Sequence, residues 1–474
     1  MNNVAHVGHS HPAVLKAVAE QYASLITNSR YLHPNITEYA KRLVATFPQP
    51  AAGSGQQPLS VMYWVNSGSE ANDLALRLAR AATGRRGVMC VHGAYHGHTT
   101  EVNSVSPYKY AREEQRGPRG FVRCVPQPDV HSGIFRGDAE DATVVGRYVA
   151  TVDAALAAFA ADEIAEAAWR SATRAGAESD VLQTFSAAAA EAKGAAEAPA
   201  ADAAREWAAR NTCDDGLRAG CGAFIMESIM SCGGQVLPPR DYLRNVYAAV
   251  RAAGGVCIAD EVQVGFGRVG APHFWAFELG NVLPDIVTLG KPIGGGFPVA
   301  AVITTPDIAR AFSDRSEYFN TFAGSPVAGA AALAVLDVIE TEQLSAAAAR
   351  VGQILVSGFK SLAEKYDGVR VPHGPFIGSV RGSGLMLGLE MLDAAAGVAA
   401  RVPDIEGASA LKYAMLKRRV LVSSDGMHGN IIKIKPPLVF SEENARTLIE
   451  GLAACLEARA LELERAAAVG RAQN

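Results

Sequence analysis

The chain has 474 residues, of which 49% are hydrophobic and 19% are charged, and its formal net charge at pH 7 is −4. This length predicts a large core divided into two or three domains, and the composition is typical of a soluble globular enzyme. The small net charge gives no reason to expect nucleic acid or an acidic membrane surface as a partner. We find no uninterrupted apolar run of about 18 residues that would span a bilayer. The seven cysteines form no CxxC pair, so we expect reduced thiols in an intracellular compartment.

The N-terminal part predicts two amphipathic helices, at residues 13–21 and 36–43, followed by a surface loop. An apolar strand at residues 61–65 precedes the small polar turn NSGSEAN at 66–72 and a helix at 73–82. A strand, a turn and a helix in this order leave backbone N–H groups at a helix N-terminus, where a phosphate can bind. Turns of this composition also occur without any ligand, so the turn alone does not decide between the two.

Three closely spaced histidines, His92, His96 and His98, follow a predicted buried strand at residues 87–91. Their spacing suggests a metal site, but the intervening glycines place them on a loop. No carboxylate or cysteine completes a ligand set, so we expect no metal here.

Residues 147–218 are rich in alanine with scattered charge. Helical hairpins with little core would explain this composition, and so would a partly disordered insertion. We find no catalytic constellation in this segment.

Strands alternating with helices resume after this segment. The predicted strands lie at residues 222–227, 255–261, 284–289 and 299–304, with a helix at 240–253. This alternation indicates a mostly parallel sheet flanked by helices, in which ligands bind at the carboxyl ends of the strands. Glu227, Asp260 and Lys291 each stand at such an end, and their convergence favours a site there more than any one of them alone.

A dinucleotide-type pattern, GxGxxG, occurs at residues 265–270. It does not directly open a helix, and the acidic pair precedes it instead of following about 20 residues later. We therefore reject a dinucleotide site.

Lys291 directly follows the apolar run at 286–289 and is itself followed by Pro292 and a triple glycine at 294–296. The proline and the glycines end the strand sharply and let the backbone pass close to a ligand. A partly desolvated lysine at this edge would have a lowered pKa and a nucleophilic amine, which is what forming a Schiff base requires. The alternative is an ordinary surface lysine in a loop.

The last part of the chain, from about residue 345, mixes helices and strands without regular alternation. Helices are predicted at 346–365, 409–418 and 441–465, and strands at 377–381, 385–390 and 431–435. This α+β pattern predicts a smaller C-terminal domain.

A pyridoxal phosphate site needs a lysine, an acid opposite the pyridine nitrogen, backbone donors for the phosphate and a flat group against the ring. The chain can supply these as Lys291, as Asp260, as Gly68 with Ser69, and as Tyr95. Burying the Asp260 carboxylate without a partner would cost free energy of folding, so we expect it to have a cationic partner. Asp260 as a turn or N-cap residue and Tyr95 as a core aromatic are the alternatives.

Five segments together resemble class III aminotransferases, which are fold-type I pyridoxal phosphate enzymes. The segments are NSGSEAN at 66–72, YHG at 95–97, DEVQVGFGR at 260–268, GKPIGGG at 290–296 and NTF at 320–322. The resemblance implies an α/β fold with a large domain, built on a mostly parallel seven-stranded sheet flanked by helices, and a smaller α+β C-terminal domain. We place an N-terminal segment at 1–45, the large domain at 46–344 with the alanine-rich insertion at about 147–218, and the small domain at 345–474.

The resemblance also assigns roles to single residues. Lys291 would be the Schiff-base lysine and Asp260 the partner of the pyridinium, and these two are the expected catalytic residues. The other expected cofactor-binding residues are Gly68 and Ser69 at the phosphate, Tyr95 stacked on the ring, Gln263 at the ring hydroxyl, His96, Glu227, and Thr321 reaching in from the neighbouring subunit. This last role implies a homodimer with shared active sites.

Within the family, the phospho-lyases acting on phosphoethanolamine or 5-phosphohydroxylysine are the most similar subgroup. The segments that carry this are 28–33, 106–109, 317–322 and 433–437. Many ω-aminotransferases have an arginine where Lys433 stands, to grip a carboxylate, and a glutamate where Cys232 stands. Lysine is a poor substitute for a bidentate fork, so the resemblance implies a substrate without an α-carboxylate. His33, Lys433 and Lys435 are the expected substrate-binding residues, although the two lysines could equally be exposed strand residues.

We therefore predict a pyridoxal phosphate enzyme that eliminates phosphate and ammonia from a small phosphorylated primary amine such as phosphoethanolamine. An aminotransferase of the ω-amino acid or alanine–glyoxylate type is the alternative, and a catalytically silent relative is a third reading. Relatives usually carry a further N-terminal segment, and this chain starts inside the resemblance. We expect a location in the cytoplasm or the mitochondrial matrix, with neither a membrane nor a nucleic acid as partner.

Overall fold

The computed structural model describes residues 3–111, 119–175, 216–369 and 374–472. The strands are β1 (Val61–Val65), β2 (Arg85–Val91), β3 (Val122–Val125), β4 (Arg218–Glu227), β5 (Val256–Asp260), β6 (Ile286–Leu289), β7 (Ala300–Thr304), β8 (Pro375–Ser383), β9 (Met386–Asp393), β10 (Ser423–Asp425) and β11 (Ile431–Ile434). The α-helices are α1 (Pro12–Ser24), α2 (Pro34–Ala45), α3 (Gly68–Thr83), α4 (Thr100–Asn103), α5 (Pro107–Tyr110), α6 (Ala142–Ala175), α7 (Tyr242–Ala252), α8 (Pro306–Ser313), α9 (Pro326–Thr341), α10 (Leu344–Lys365), α11 (Ile405–Lys417) and α12 (Glu442–Ala472).

The first seven strands form one sheet in the order β1-β7-β6-β5-β4-β2-β3. Strand β7 runs antiparallel to both of its neighbours, and the other four pairings are parallel. The central strands are mostly apolar and buried, as expected when helices cover both faces of a sheet. In β6, for example, all four residues are buried. The predicted α/β class with a mostly parallel seven-stranded sheet is confirmed.

The register of the sheet brings the predicted strand-end residues together. Glu227 at the end of β4 lies beside Asp260 at the end of β5, and Asp260 lies beside Thr288 in β6. Lys291 follows two residues after β6 and opens a single 3₁₀ turn, Lys291–Gly294. Its φ of +39° is in the left-handed region, which non-glycine residues enter at a cost and which often marks a functional site.

The second sheet is built from the C-terminal strands in the order β10-β11-β9-β8, and all three pairings are antiparallel. Helices α10 and α12 pack against each other, and α10 also packs against β8. This is the α+β arrangement predicted for the C-terminal part. The boundaries that we place between the N-terminal segment and the two domains stay predictions.

The first part of the alanine-rich segment belongs to α6, which packs against β4, β3 and α7. Its inner face is buried through Val144, Tyr148, Val152 and Phe159, so this part contributes to a core, and residues 176–215 lie outside the described residues. By length and composition alone, the stretch Ala142–Ala167 is apolar enough to cross a membrane, which the search for an uninterrupted apolar run did not detect. In its most apolar 18-residue window 28% is buried, and the exposed positions of the stretch are largely alanine.

The N-terminal residues contact one helix and two loops, one loop following β5 and the other following β11. Helices α1 and α2 pack on α9. The side-chain amide of Asn3 donates to the backbone carbonyl of Gln263 at 2.6 Å, and the carbonyl of His6 accepts from the backbone N–H of Leu438 at 2.8 Å. The start of the described chain is therefore tied to the edge where the strand-end residues meet.

Candidate active site

A cavity of about 230 Å³ lies at the carboxyl ends of the central strands. It is lined by Ser67, Gly68, Ser69, Asn72, Tyr95, His96, Gly97, Glu227, Asp260, Val262, Gln263 and Lys291. Eight residues predicted from the sequence are among them. The structure brings these eight together from three strand ends, one helix N-terminus and one loop.

Asp260 is the most firmly held acid in the cavity. It is 3% exposed, and its Oδ2 accepts from Nδ1 of His96 at 2.8 Å and from Nδ2 of Asn72 at 2.9 Å. Its Oδ1 accepts from the backbone N–H of Val262 at 3.1 Å. Asp260 therefore does make the turn contact of the alternative reading, but its other oxygen sits in a polar network inside the cavity. These three hydrogen bonds fix the orientation of the Asp260 side chain.

Asn72 lines the cavity but was not predicted from the sequence as a site residue. Its amide donates to Asp260 and to the carbonyl of His96 at 2.7 Å, while its Oδ1 accepts from Thr288 Oγ1 at 2.7 Å. It lies one turn into α3 and is 1% exposed. A buried asparagine on the sheet-facing side of a helix is the signal that could have found it, because such a side chain needs partners for its amide.

Two other titratable groups in the cavity, Lys291 and Glu227, have pKa values shifted by burial. Burial lowers the pKa of Lys291, although the negative charges of Asp260 and Glu227 oppose this. Burial, aided by the charge of Asp260, raises the pKa of Glu227 to about 7. Oε1 of Glu227 accepts from the hydroxyl of Ser231, whereas Oε2 is buried with no hydrogen-bond partner among the described residues.

The N-terminus of α3 forms a cradle of backbone donors. Ser67 caps the helix by accepting from the backbone N–H of Glu70 at 3.2 Å. A Cβ on Gly68 would come within 2.8 Å of a Val262 methyl group, and one on Gly97 within 2.5 Å of Ser69 Oγ. The backbone at Gly68 and Gly97 therefore requires glycine, and it leaves Ser69 at a helix end suited to an anion.

Tyr95 lines the cavity and is only partly buried, so it is not a core aromatic. It meets Tyr108 edge-on, with ring centroids 6.3 Å apart.

The residues present fit pyridoxal phosphate. A partly desolvated lysine amine, a hydrogen-bonded carboxylate, an aromatic face and a glycine-lined helix N-terminus open into one cavity. Two buried polar atoms, Nε2 of His96 and Oε2 of Glu227, have no partner among the described residues. The histidine cluster does not resemble a metal centre, because His96 bonds Asp260 while His92 and His98 are exposed. The described residues contain no group of three or more His, Cys, Asp or Glu side chains that could hold a metal.

A chain of hydrogen bonds leads from Glu227 to the small sheet. The hydroxyl of Ser231 donates to Glu227 and accepts from Nε2 of Gln263, and Nζ of Lys435 donates to Oε1 of Gln263 at 3.1 Å. Lys433 instead pairs with Asp425, Nζ to Oδ2, at 2.8 Å. The two lysines, which the sequence could not separate, therefore have different surroundings.

Besides Lys433 and Lys435, two further predicted residues do not line this cavity within one subunit. His33 caps α2, its Nδ1 accepting from the backbone N–H of Asn35 at 3.3 Å. Thr321 is exposed and lies on the segment between β7 and α9. Neither is among the residues that line the cavity.

The chain is similar to known proteins of one family. The chain matches the family Aminotransferase class-III over residues 2–167 and 174–456. It is 42% identical to an alanine–glyoxylate aminotransferase 2-like protein of Drosophila melanogaster, over 97% of this chain and 78% of the relative. It is 34% identical to ethanolamine-phosphate phospho-lyase homolog 1 of Caenorhabditis elegans, over 95% of this chain and 83% of the relative.

Among solved structures, a phospholyase from Arthrobacter in complex with phosphoethanolamine superposes with a TM-score of 0.75. It is 32% identical, and the match covers 96% of this chain and 89% of that one. The fold, the constellation at the strand ends and these relatives agree, and the chain belongs to the class III aminotransferase family of enzymes.

Proposed function

We propose that this enzyme is a pyridoxal phosphate-dependent phospho-lyase that releases phosphate and ammonia from phosphoethanolamine or a closely related phosphorylated primary amine. The Arthrobacter phospholyase and the Caenorhabditis elegans homolog support this reading, since both are more than 30% identical to the chain over nearly its whole length.

The surroundings of Lys433 carry the proposal. Lys433 stands where an arginine is expected in relatives that grip a carboxylate, and its ammonium is paired with Asp425, which is 4% exposed. Lys291 is the only cationic side chain among the described residues that line the cavity. With no guanidinium fork there, the described lining of the cavity offers no bidentate partner for an α-carboxylate. Phosphoethanolamine has no carboxylate and needs none.

The cofactor would be held by named residues of this chain. Its phosphate would lie at the N-terminus of α3 beside Gly68 and Ser69, its ring against Tyr95, and its ring nitrogen opposite Asp260. When bound, pyridoxal phosphate supplies an electrophilic aldehyde carbon and an electron sink for the carbon that bears the substrate amine.

Lys291 has two tasks. As the covalent partner of the cofactor, its amine must be uncharged, and burial favours that state by lowering its pKa. With the cofactor and substrate bound, Nζ would act as the general base that takes a proton from the carbon bearing the substrate amine. His96 and Asn72 hold the Asp260 carboxyl group in place at the strand end where the ring nitrogen would lie. In the overall reaction, phosphoethanolamine and water give phosphate, ammonia and acetaldehyde.

The exposed aromatic segment before α9 supports a homodimer. Phe319 is 54% exposed and Phe322 is 67% exposed, and Thr321 lies between them. Large exposed aromatic side chains close together indicate a surface that a partner covers. We infer that a second copy of the chain covers it, so that Thr321 meets the phosphate end of the partner's cofactor site.

The direct test is to incubate the cofactor-loaded enzyme with phosphoethanolamine, without any keto acid, and to measure inorganic phosphate. The proposal expects many turnovers per subunit, none with Lys291→Ala, and none with ethanolamine as the substrate. A cofactor spectrum that changes with phosphoethanolamine while no phosphate appears would reject phosphate elimination.

A second candidate is an aminotransferase of the alanine–glyoxylate type, favoured by the 42% identity to the Drosophila melanogaster relative. It predicts pyruvate and glycine from alanine plus glyoxylate, with no phosphate release. Running both substrate pairs on the same enzyme preparation separates the two candidates. The cytoplasmic or mitochondrial location stays a prediction.

A further inference from the structure

The Lys435 side chain lies directly behind the wall of the cavity. Lys435 follows β11, and its Nζ donates to Oε1 of Gln263 at 3.1 Å. Gln263 is 8% exposed and lines the cavity together with Lys291 and Asp260. One hydrogen bond therefore separates the ammonium of Lys435 from the cavity.

No carboxylate in the described part of the chain lies within ion-pairing distance of the Lys435 ammonium group. Burial lowers its pKa to about 8, and the positive charge of Lys433 adds to this. The Cys232 thiol, Asp425 and Glu227 act in the opposite direction without forming a contact pair. A poorly solvated ammonium without a counter-ion is costly, and an anion that reaches it interacts more strongly than it would in water.

Lys433, two residues earlier, is the natural comparison. Its Nζ is 2.8 Å from Oδ2 of Asp425, and the other oxygen of Asp425 accepts from the Tyr108 hydroxyl at 3.1 Å. Its charge is thus already balanced by a buried carboxylate. Of the two lysines, only Lys435 has an ammonium group that is not paired with a carboxylate in the described part of the chain and could bind an anionic ligand.

We propose that Lys435 is the anchor that this subunit provides for the phosphate group of the substrate, and that Lys433 is a structural residue. The inference deepens the proposed function and rests on it. Of the three ammonium donors of Lys435, Gln263 takes one, which leaves two for phosphate oxygens. A phosphate monoester carries about two negative charges at pH 7, and a lysine binds it as a point charge without a planar fork. This site is distinct from the N-terminus of α3, where the cofactor phosphate would lie.

The test uses the cofactor-loaded enzyme, so that the cofactor already fills its own phosphate site, and inorganic phosphate as the probe. Binding is followed by calorimetry or by displacement of phosphoethanolamine. Lys435→Met should weaken phosphate binding by at least about tenfold, and Lys435→Arg, which keeps the charge, should recover most of it. If Lys435→Met binds phosphate within threefold of the wild type, the anchor assignment is wrong.

Stability measurements separate the two lysines independently. Lys435→Met removes a charge without a counter-ion, so its melting temperature should equal or exceed that of the wild type. Lys433→Met leaves Asp425 buried and unpaired, so its melting temperature should fall. The opposite order would overturn the assignment of roles.

The outcome for the anchor is distinguishable from the outcome for the reaction. If phosphate binds through Lys435 but phosphoethanolamine yields no phosphate, the proposed lyase reaction fails and the anion site remains. If phosphate is released and Lys435→Met leaves both KM and phosphate binding unchanged, the reaction stands and the anchor fails.

Discussion

Replacing Glu227 with glutamine should stabilise the cofactor-free protein at pH 8 and leave its stability nearly unchanged at pH 5. Burial raises the pKa of Glu227 from 4.5 to about 7, with Asp260 as the second cause. Below pH 4.5 the carboxyl is protonated in both the folded and the unfolded chain, so glutamate and glutamine behave alike. Between pH 4.5 and 7 the unfolded chain releases the proton while the folded chain keeps it, and the wild type loses stability.

The size of the effect follows from the same pKa. A pKa of about 7 in place of 4.5 means that folding disfavours the ionised form by about 3 kcal/mol. For a chain of this length the entropy of unfolding is on the order of 1 kcal/mol per kelvin, so the gain at pH 8 should appear as a rise of about 3 °C in melting temperature. Oε2 of Glu227 has no partner among the described residues, so glutamine breaks no hydrogen bond there.

Glu261 is a matched control for this measurement. Burial also raises its pKa to about 7, but its oxygens accept from the backbone N–H groups of Ala276 at 2.8 Å and Phe277 at 3.0 Å. Glutamine would set an amide N–H against a backbone donor, so Glu261→Gln should lose about 1–3 kcal/mol. Thermal unfolding of the wild type and both variants at pH 5 and pH 8 decides the matter. A melting temperature of Glu227→Gln at or below that of the wild type at pH 8 would refute the reasoning.

Three further experiments address the cofactor and the dimer. Asp260→Asn removes the charge opposite the ring and should lower kcat for phosphate release at least about 100-fold, with a smaller loss of cofactor affinity, both measured on one preparation. Gly68→Ala should weaken cofactor binding because the new Cβ would come within 2.8 Å of a Val262 methyl group. The double variant with Val262→Ala should bind the cofactor again. If it does not, a steric clash with Val262 is not the cause. Mixing inactive Lys291→Ala subunits with Thr321→Val subunits should give heterodimers in which one of the two sites has both an intact Lys291 and an intact Thr321. The mixture should therefore be more active than either parent variant. No gain in activity would contradict a shared site.

The strand-end residues were predictable because the strands themselves are unambiguous. Short β-branched runs such as residues 286–289 are buried on both faces, and in a parallel sheet their carboxyl ends meet at one edge. That geometry places Glu227, Asp260 and Lys291 side by side before any atom is located. The small polar turn around Gly68 was predictable because it joins a strand to a helix.

What the sequence could not supply is the partner of each polar side chain. Lys433 and Lys435 have the same residue type and lie two positions apart, in and just after β11, yet one meets Asp425 and the other meets Gln263. The difference depends on where a neighbouring strand and a distant loop fall, which no local pattern contains. Asn72 escaped notice for a similar reason, because its partner Asp260 is 188 positions away.

The alanine-rich segment shows the limit of composition. Alanine favours a helix but does not say what the helix packs against. The inner face of α6 became recognisable only through its larger residues, such as Tyr148 and Phe159, both at most 1% exposed.

The most direct test of the central claim is the stoichiometry of products over many turnovers without an amino acceptor. With cofactor-loaded enzyme and phosphoethanolamine, phosphate elimination predicts phosphate, ammonia and acetaldehyde in a ratio of about 1:1:1, continuing long after each subunit has turned over once. A single turnover that stops, with no phosphate released and activity restored by adding a keto acid, would show a transaminase and contradict the account.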